Sequence, residues 1–278
     1  MNALDAYRLD CDLVRKLKVQ NTSPATCRLC LRVEPLLMSH IFPAWLWRAI
    51  KGGSNFILVD AATQKATKQQ TELRAPLLCS DCELQIGKHE AYVKTKYDQW
   101  LNVERPRKVD KSTGEAVGKN IVIPEYFEVD YAHLKLFVLA CFWRASESPF
   151  LSYRESKIQT DGTAGEIIPG HFKERLRKII LSNDPGNDYD YPILPTVDRT
   201  GMLANAKTMG VTYSQFEGIG FLRTFVGGAL WTLALDEGHP QWTQAAPRRL
   251  RSDNRCFFDL RDLTKDPGIA RVIDAAGN

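Results

Sequence analysis

The apolar residues of the first hundred positions fall in short clusters separated by polar breaks. Residues 5–19 read as a short helix ended by Asn21-Thr22-Ser23-Pro24. The run Leu36-Leu37-Met38-Ser39-His40-Ile41-Phe42 is too short for a buried helix and stops at Pro43, so it predicts a strand. Residues 44–50 fit a helical turn or two, closed by Gly52-Gly53, and residues 56–59 a short strand. Residues 61–71 are polar and read as a loop. Leu77-Leu78 lead into Cys79, and residues 80–100 read as a helix with Ser80 or Asp81 near its start. Residues 105–120, rich in Pro, Lys, Gly and Thr, read as a linker. Beyond it the pattern predicts a strand at 121–123 and a largely buried helix at 131–145. An amphipathic helix follows at 169–181, with Phe172, Leu176, Ile179 and Ile180 on its apolar side. Residues 183–190 form an acidic turn. Residues 221–235 read as two strands around Gly227-Gly228, and 255–260 as one more.

Composition sharpens this only in places. The chain has 278 residues, 44% hydrophobic and 25% charged, which excludes a disordered or collagen-like protein. The net charge of +4 is bland, but its distribution is not. Residues 1–110 hold 17 basic and 12 acidic side chains; the remainder is close to neutral. The positive excess therefore lies in the N-terminal part, where it favours a polyanionic partner. The first residues lack the apolar core of a signal peptide, and no run of about 18 apolar residues occurs. A cytoplasmic protein without a membrane span is the expectation.

Four of the seven cysteines fall into two equal pairs, Cys27-x-x-Cys30 and Cys79-x-x-Cys82. Reduced thiols in this pattern point to tetrahedral zinc rather than to disulfides. The 48 residues between the pairs must carry structure of their own. A knuckle, a strand pair and a helix starting at the second cysteine pair would form a treble clef. The expected fold class is therefore α+β. An N-terminal treble-clef (ββα-metal) zinc module over 1–104 is followed, after the linker, by a mixed helix and antiparallel-sheet accessory domain over 121–278. Cys11, Cys141 and Cys256 lack partners in spacing and read as buried thiols.

Between the pairs stands Ser39-His40-Ile41-Phe42-Pro43, and after the second come Glu83, then Gly87-Lys88-His89-Glu90. Over residues 24–95 this order resembles the HNH endonuclease superfamily, in a divergent branch. Ser39 stands where many members have an acid, and Glu83 where His or Asn is usual. The resemblance implies a metal-dependent nuclease that hydrolyses phosphodiester bonds, with DNA favoured over RNA. It implies His40 as the general base, because an imidazole that titrates near neutrality can take a proton from water. It further implies Glu83 as a ligand of catalytic Mg²⁺ or Mn²⁺, assisted by Glu90, while zinc on the four cysteines is purely structural.

Helix geometry orders the rest. Glu83 and Glu90 share a face but lie about 10 Å apart along the axis. His89, carried as a further metal ligand, stands about 120° round the helix from Glu83. Arg48, Lys51 and Lys88 are the candidate phosphate contacts, with Lys65, Lys68 and Arg74 as further basic positions; scattered solubilising charge is the competing reading. For His40 the competing reading is a ring packed under Trp45 or Trp47 and bonded to backbone. For Glu83 it is an acid favoured by the helix dipole. The alternative function is a catalytically silent zinc module that binds nucleic acid or a protein partner. The C-terminal domain carries no recognisable catalytic motif. Target selection, a protein partner or homo-oligomerisation are the tasks open to it, and Arg144 and Arg154 are its candidate substrate contacts.

Overall fold

A computed structural model describes residues 24–46, 56–59, 66–69, 72–101, 108–109, 116–117, 126–148, 168, 170–198, 211–216, 219–226, 229–235, 249–257 and 259–266. The expected helix at 5–19, the strand at 121–123, Trp47, Arg48, Lys51, Cys11 and Arg154 lie outside them.

The N-terminal part opens with β1 (Ala25–Thr26) paired antiparallel to β2 (Val33–Glu34), on either side of the first cysteine pair. Then come β3 (Leu37–His40), β4 (Phe56–Val59), β5 (Ala66–Gln69) and β6 (Arg74–Leu78). β3 pairs antiparallel with β6, placing His40 opposite Arg74, with an irregularity between Leu37 and Met38. β4 pairs with β5. The polar segment expected as a loop at 61–71 thus contains a strand, because the apolar β4 gives its backbone groups a ladder partner. Residues 44–46 are helical. α1 (Ser80–Leu101) starts at once after β6, and the Cys79 carbonyl accepts its first bond, from Glu83 N–H at 3.0 Å. Asp81 and Glu83 in the first turn suit the positive end of the helix dipole.

Within the expected linker, β7 (Lys108–Val109) pairs with β8 (Ala116–Val117). β9 (Phe127–Glu128) precedes α2 (Tyr131–Glu147), which is buried from Leu134 to Ala145 without interruption. The Asp130 carboxylate caps it, accepting from His133 N–H at 2.9 Å. α3 (Gly170–Ser182) buries Leu176 and Ile180.

Five strands then form the main sheet: β10 (Ile193–Asp198), β11 (Val211–Phe216), β12 (Ile219–Val226), β13 (Ala229–Ala234) and, across β14 (Arg255–Cys256), β15 (Asp259–Arg261). Their order is β11-β12-β13-β10-β15, antiparallel except for the parallel pair β10–β15. The two strands expected in 221–235 are β12 and β13. The single strand expected at 255–260 is instead two, since β14 pairs with β9 while β15 joins the main sheet.

The described regions are therefore α+β, helices with a mainly antiparallel sheet. One apolar cluster runs from Cys27, Leu29 and Ile86 through Leu134 and Phe142 to Leu176 and Leu233. It joins the cysteine-bearing part to both later helices and the sheet. No helix among the described residues is long and apolar enough to cross a membrane.

Candidate metal centre and active site

The four cysteine side chains converge. Their ligand atoms all lie within 4.8 Å of one another, and Cys30 Sγ sits 3.8 Å from Cys79 Sγ. Tetrahedral zinc with Zn–S bonds near 2.3 Å requires sulfurs roughly 3.8 Å apart, so the set fits that ion and can hold it. The knuckle is held by backbone bonds. Leu31 N–H donates to Cys27 O at 2.9 Å, Cys27 N–H to Arg32 O at 2.8 Å, and Arg28 N–H to Leu77 O at 2.9 Å. Closing it puts Leu31 at φ +64°, a conformation that usually selects glycine.

The sulfur chemistry also suits a cation. Cys27 is held down at about 4 by a hydrogen bond from the Cys82 thiol, against the effect of burial. Its charge, with burial, pushes Cys82 and Cys79 up. Four thiols so close cannot all ionise without a positive charge among them. Arg32 supplies part of it from outside, with Nε 3.4 Å from Cys30 Sγ and an ion pair to Asp81 at 2.8 Å.

His40 lies at the end of β3, half-buried, and its partner is not backbone. Its Nε2 bonds Glu72 Oε2 at 2.8 Å, and the same oxygen accepts from Arg74 at 2.6 Å. The carboxylate fixes the tautomer: Nε2 carries the proton and Nδ1 keeps its lone pair. Burial lowers the His40 pKa below the ordinary histidine value, and Glu72 opposes this. Burial thus favours the neutral ring. Glu72 itself is held low by Arg74 and His40, against burial. The sequence reading missed Glu72. The signal was there in the alternation of Leu73, Ala75 and Leu77 with Glu72, Arg74 and Pro76, which places Glu72 on the polar side of the strand opposite His40.

On α1, Glu83 faces Ser39 of β3, while Glu90, two turns further on, faces α2. Glu83 is half-buried, with its Oε1 sealed from solvent and without a hydrogen bond. Burial raises its pKa, while Arg144 and the buried Ser39 act against that. An orphaned carboxylate oxygen is a hard donor, and this fits a hard divalent cation. Glu90 is ion-paired to Arg144 at 2.5 Å.

His89 does not join them. Its Nδ1 lies 3.1 Å from His133 Nδ1 and its Nε2 2.9 Å from Asn183 Oδ1, so both nitrogens face α2 and α3. The 120° offset from Glu83 is the reason. Lys88 is exposed on α1. Arg144, expected to reach a substrate, is 1% exposed and faces inward, because α2 is buried on every side at that level. Cys141 and Cys256 are buried thiols as expected, pushed up by desolvation to about 12 and higher. Trp45, partly buried, packs against the core and stacks on Phe137, with ring centroids 6.3 Å apart.

Comparison with known proteins gives no matching family model, no matching curated protein and no matching solved structure.

Proposed function

We propose that the chain is a zinc-stapled nuclease of the HNH type, acting on DNA in preference to RNA. The knuckle, the β3–β6 hairpin and α1 would then form a treble clef, in which zinc on Cys27, Cys30, Cys79 and Cys82 fixes hairpin against helix. The observation that carries the reading is the His40–Glu72 pair. A neutral imidazole, held through Nε2 by a carboxylate, keeps Nδ1 available for a proton. His40 takes that proton from the water that attacks phosphorus, and Glu72 steadies the imidazolium that forms. Glu83 and Glu90 would hold Mg²⁺ or Mn²⁺. When bound, such an ion polarises a phosphoryl oxygen and stabilises the leaving oxygen. The positive excess of residues 1–110 steers the phosphate backbone toward the site, whereas Lys88, exposed but about 140° round α1 from Glu83, stands off the face of the two carboxylates.

The test is nicking of supercoiled plasmid with Mg²⁺ or Mn²⁺. The wild type cuts, and His40→Ala loses roughly 100-fold or more while retaining its zinc. Wild-type activity in His40→Ala overturns the assignment. A second reading, a silent module that binds nucleic acid or a protein partner, draws on the half-buried Glu83 and the tied Glu90, which leave few open ligands for a cation. Gel-shift binding by a wild type that never cuts, across metals and substrates, favours it.

A further inference from the structure

Among the described residues of the C-terminal half, Arg144 bonds a candidate site residue, Glu90. Arg144, on α2, is buried, and its Nη2 donates to Glu90 Oε1 at 2.5 Å. Its Nε has no hydrogen-bond partner. Its charge also favours the ionised form of Glu83 and, as a lesser influence than burial and Arg74, disfavours the charged form of His40. His40 bonds Glu72, Glu83 faces Ser39, and Glu90 stands two turns further along α1. A buried guanidinium is costly to desolvate, and apolar residues of similar volume fill such space at lower cost. Its position is therefore informative. Buried as it is, Arg144 cannot touch a polynucleotide.

We propose that Arg144 is the positioning residue of this site. It fixes Glu90 against α2 and brings a permanent, buried positive charge to the face of α1 that carries Glu83 and Glu90. Guanidinium does not deprotonate in proteins, so this charge is constant across the working pH range. Its consequences are geometric and electrostatic. Glu90 holds one orientation instead of swinging on a four-atom tether. The two α1 carboxylates share one buried counter-charge. For the His40 imidazole, burial is the main influence toward the neutral form, and Arg74 and then Arg144 add to it against Glu72. The proposal rests on the nuclease reading above for its catalytic consequence, but the electrostatic part stands apart from it.

The experiment uses the full chain as wild type, Arg144→Gln and Arg144→Lys, each checked for zinc content and cooperative unfolding. Two quantities are measured: cleavage kinetics with Mn²⁺, and the titration midpoint of the His40 ring by NMR. Arg144→Gln is expected to lower kcat at least tenfold with KM within twofold, and to move the His40 midpoint upward. Arg144→Lys keeps the charge, so the midpoint stays at the wild-type value, but the guanidinium bond to Glu90 is lost and kcat recovers only in part. An unmoved midpoint in a folded Arg144→Gln protein overturns the proposal, as does unchanged kcat in an active enzyme. Where Arg144→Gln loses its zinc, Arg144→Lys decides: wild-type kcat in it overturns the positioning role. A wild type that never cuts overturns the nuclease reading alone. The His40 midpoint then still decides on Arg144.

Discussion

At the residue scale, two half-buried or buried histidines set the response to acid. Burial lowers the pKa of His40, and burial also lowers that of His89, where Asn183 opposes and His133 and Lys88 assist. In the unfolded chain both titrate near 6.5. The folded state therefore binds fewer protons than the unfolded state between that value and the depressed one. Their contribution to stability is complete above about pH 6.5 and is lost as the pH falls through the folded values. Urea unfolding between pH 7.5 and 5 should show stability falling with acidity. Acid also protonates the thiolates of the cysteine cluster, so the comparison must isolate the histidine. His89→Gln, neutral at every pH, should flatten the slope by up to about 1.4 kcal/mol per pH unit. A slope identical to wild type would show that His89 does not titrate against folding. The cysteine cluster was legible because its two equal C-x-x-C spacings are local, whereas His40 was singled out by the resemblance of its motif. Glu72 was legible only as a polar position of its strand and Arg144 only as a candidate substrate contact, since it takes the β3–β6 register and the packing of α2 to bring them to His40 and Glu90.

At the element scale, the helices were readable and the sheet only partly so. The apolar run of α2 and the 3.6-residue period of α3 are local signals, and both helices occur within two residues of expectation at each end. β12 and β13 were legible from the paired glycines between them. β10 was missed because it carries Pro195, which argues against a strand from sequence alone. Here β15 pairs only with Thr196 to Asp198, so Pro195 lies beyond the reach of that ladder. The entry to α2 gives a clean test of local physics. Asp130 caps His133 N–H, and its own N–H donates to the Tyr92 hydroxyl of α1 at 2.5 Å. Asp130→Ala leaves the backbone bond in place and removes only the cap. It should cost about 1 kcal/mol in denaturant unfolding, with an unchanged m-value. A loss above about 3 kcal/mol would mean the carboxylate does more than cap the helix.

At the scale of the whole molecule, the cysteine cluster and the main sheet belong to one core. Cys27, Cys79 and Cys82 lie in the same apolar cluster as α2, α3 and β13. Polar ties reinforce it: Gln85 donates to Ile180 O at 2.6 Å, and Arg177 to Leu29 O at 2.6 Å, directly behind the knuckle. Lys135 does the same inside the later part, donating to Tyr131 Oη and to the carbonyls of Asn187 and Asp190. A perturbation at the knuckle is therefore transmitted to the sheet through packed side chains rather than across a loose hinge. Metal removal tests this. Stripping the cysteines with a chelator, or Cys79→Ser, leaves buried thiols that repel or stay protonated, and it frees the hairpin from α1. Calorimetry of the metal-loaded chain should then show one cooperative transition. The stripped chain should lose the whole of it or shift it to lower temperature as a unit, with near-ultraviolet dichroism of the buried Trp143 and Trp231 falling in parallel with zinc content. A second transition that survives chelation at its original temperature would mean instead that the sheet and its helices fold as an independent body, with the cysteine module docked on them.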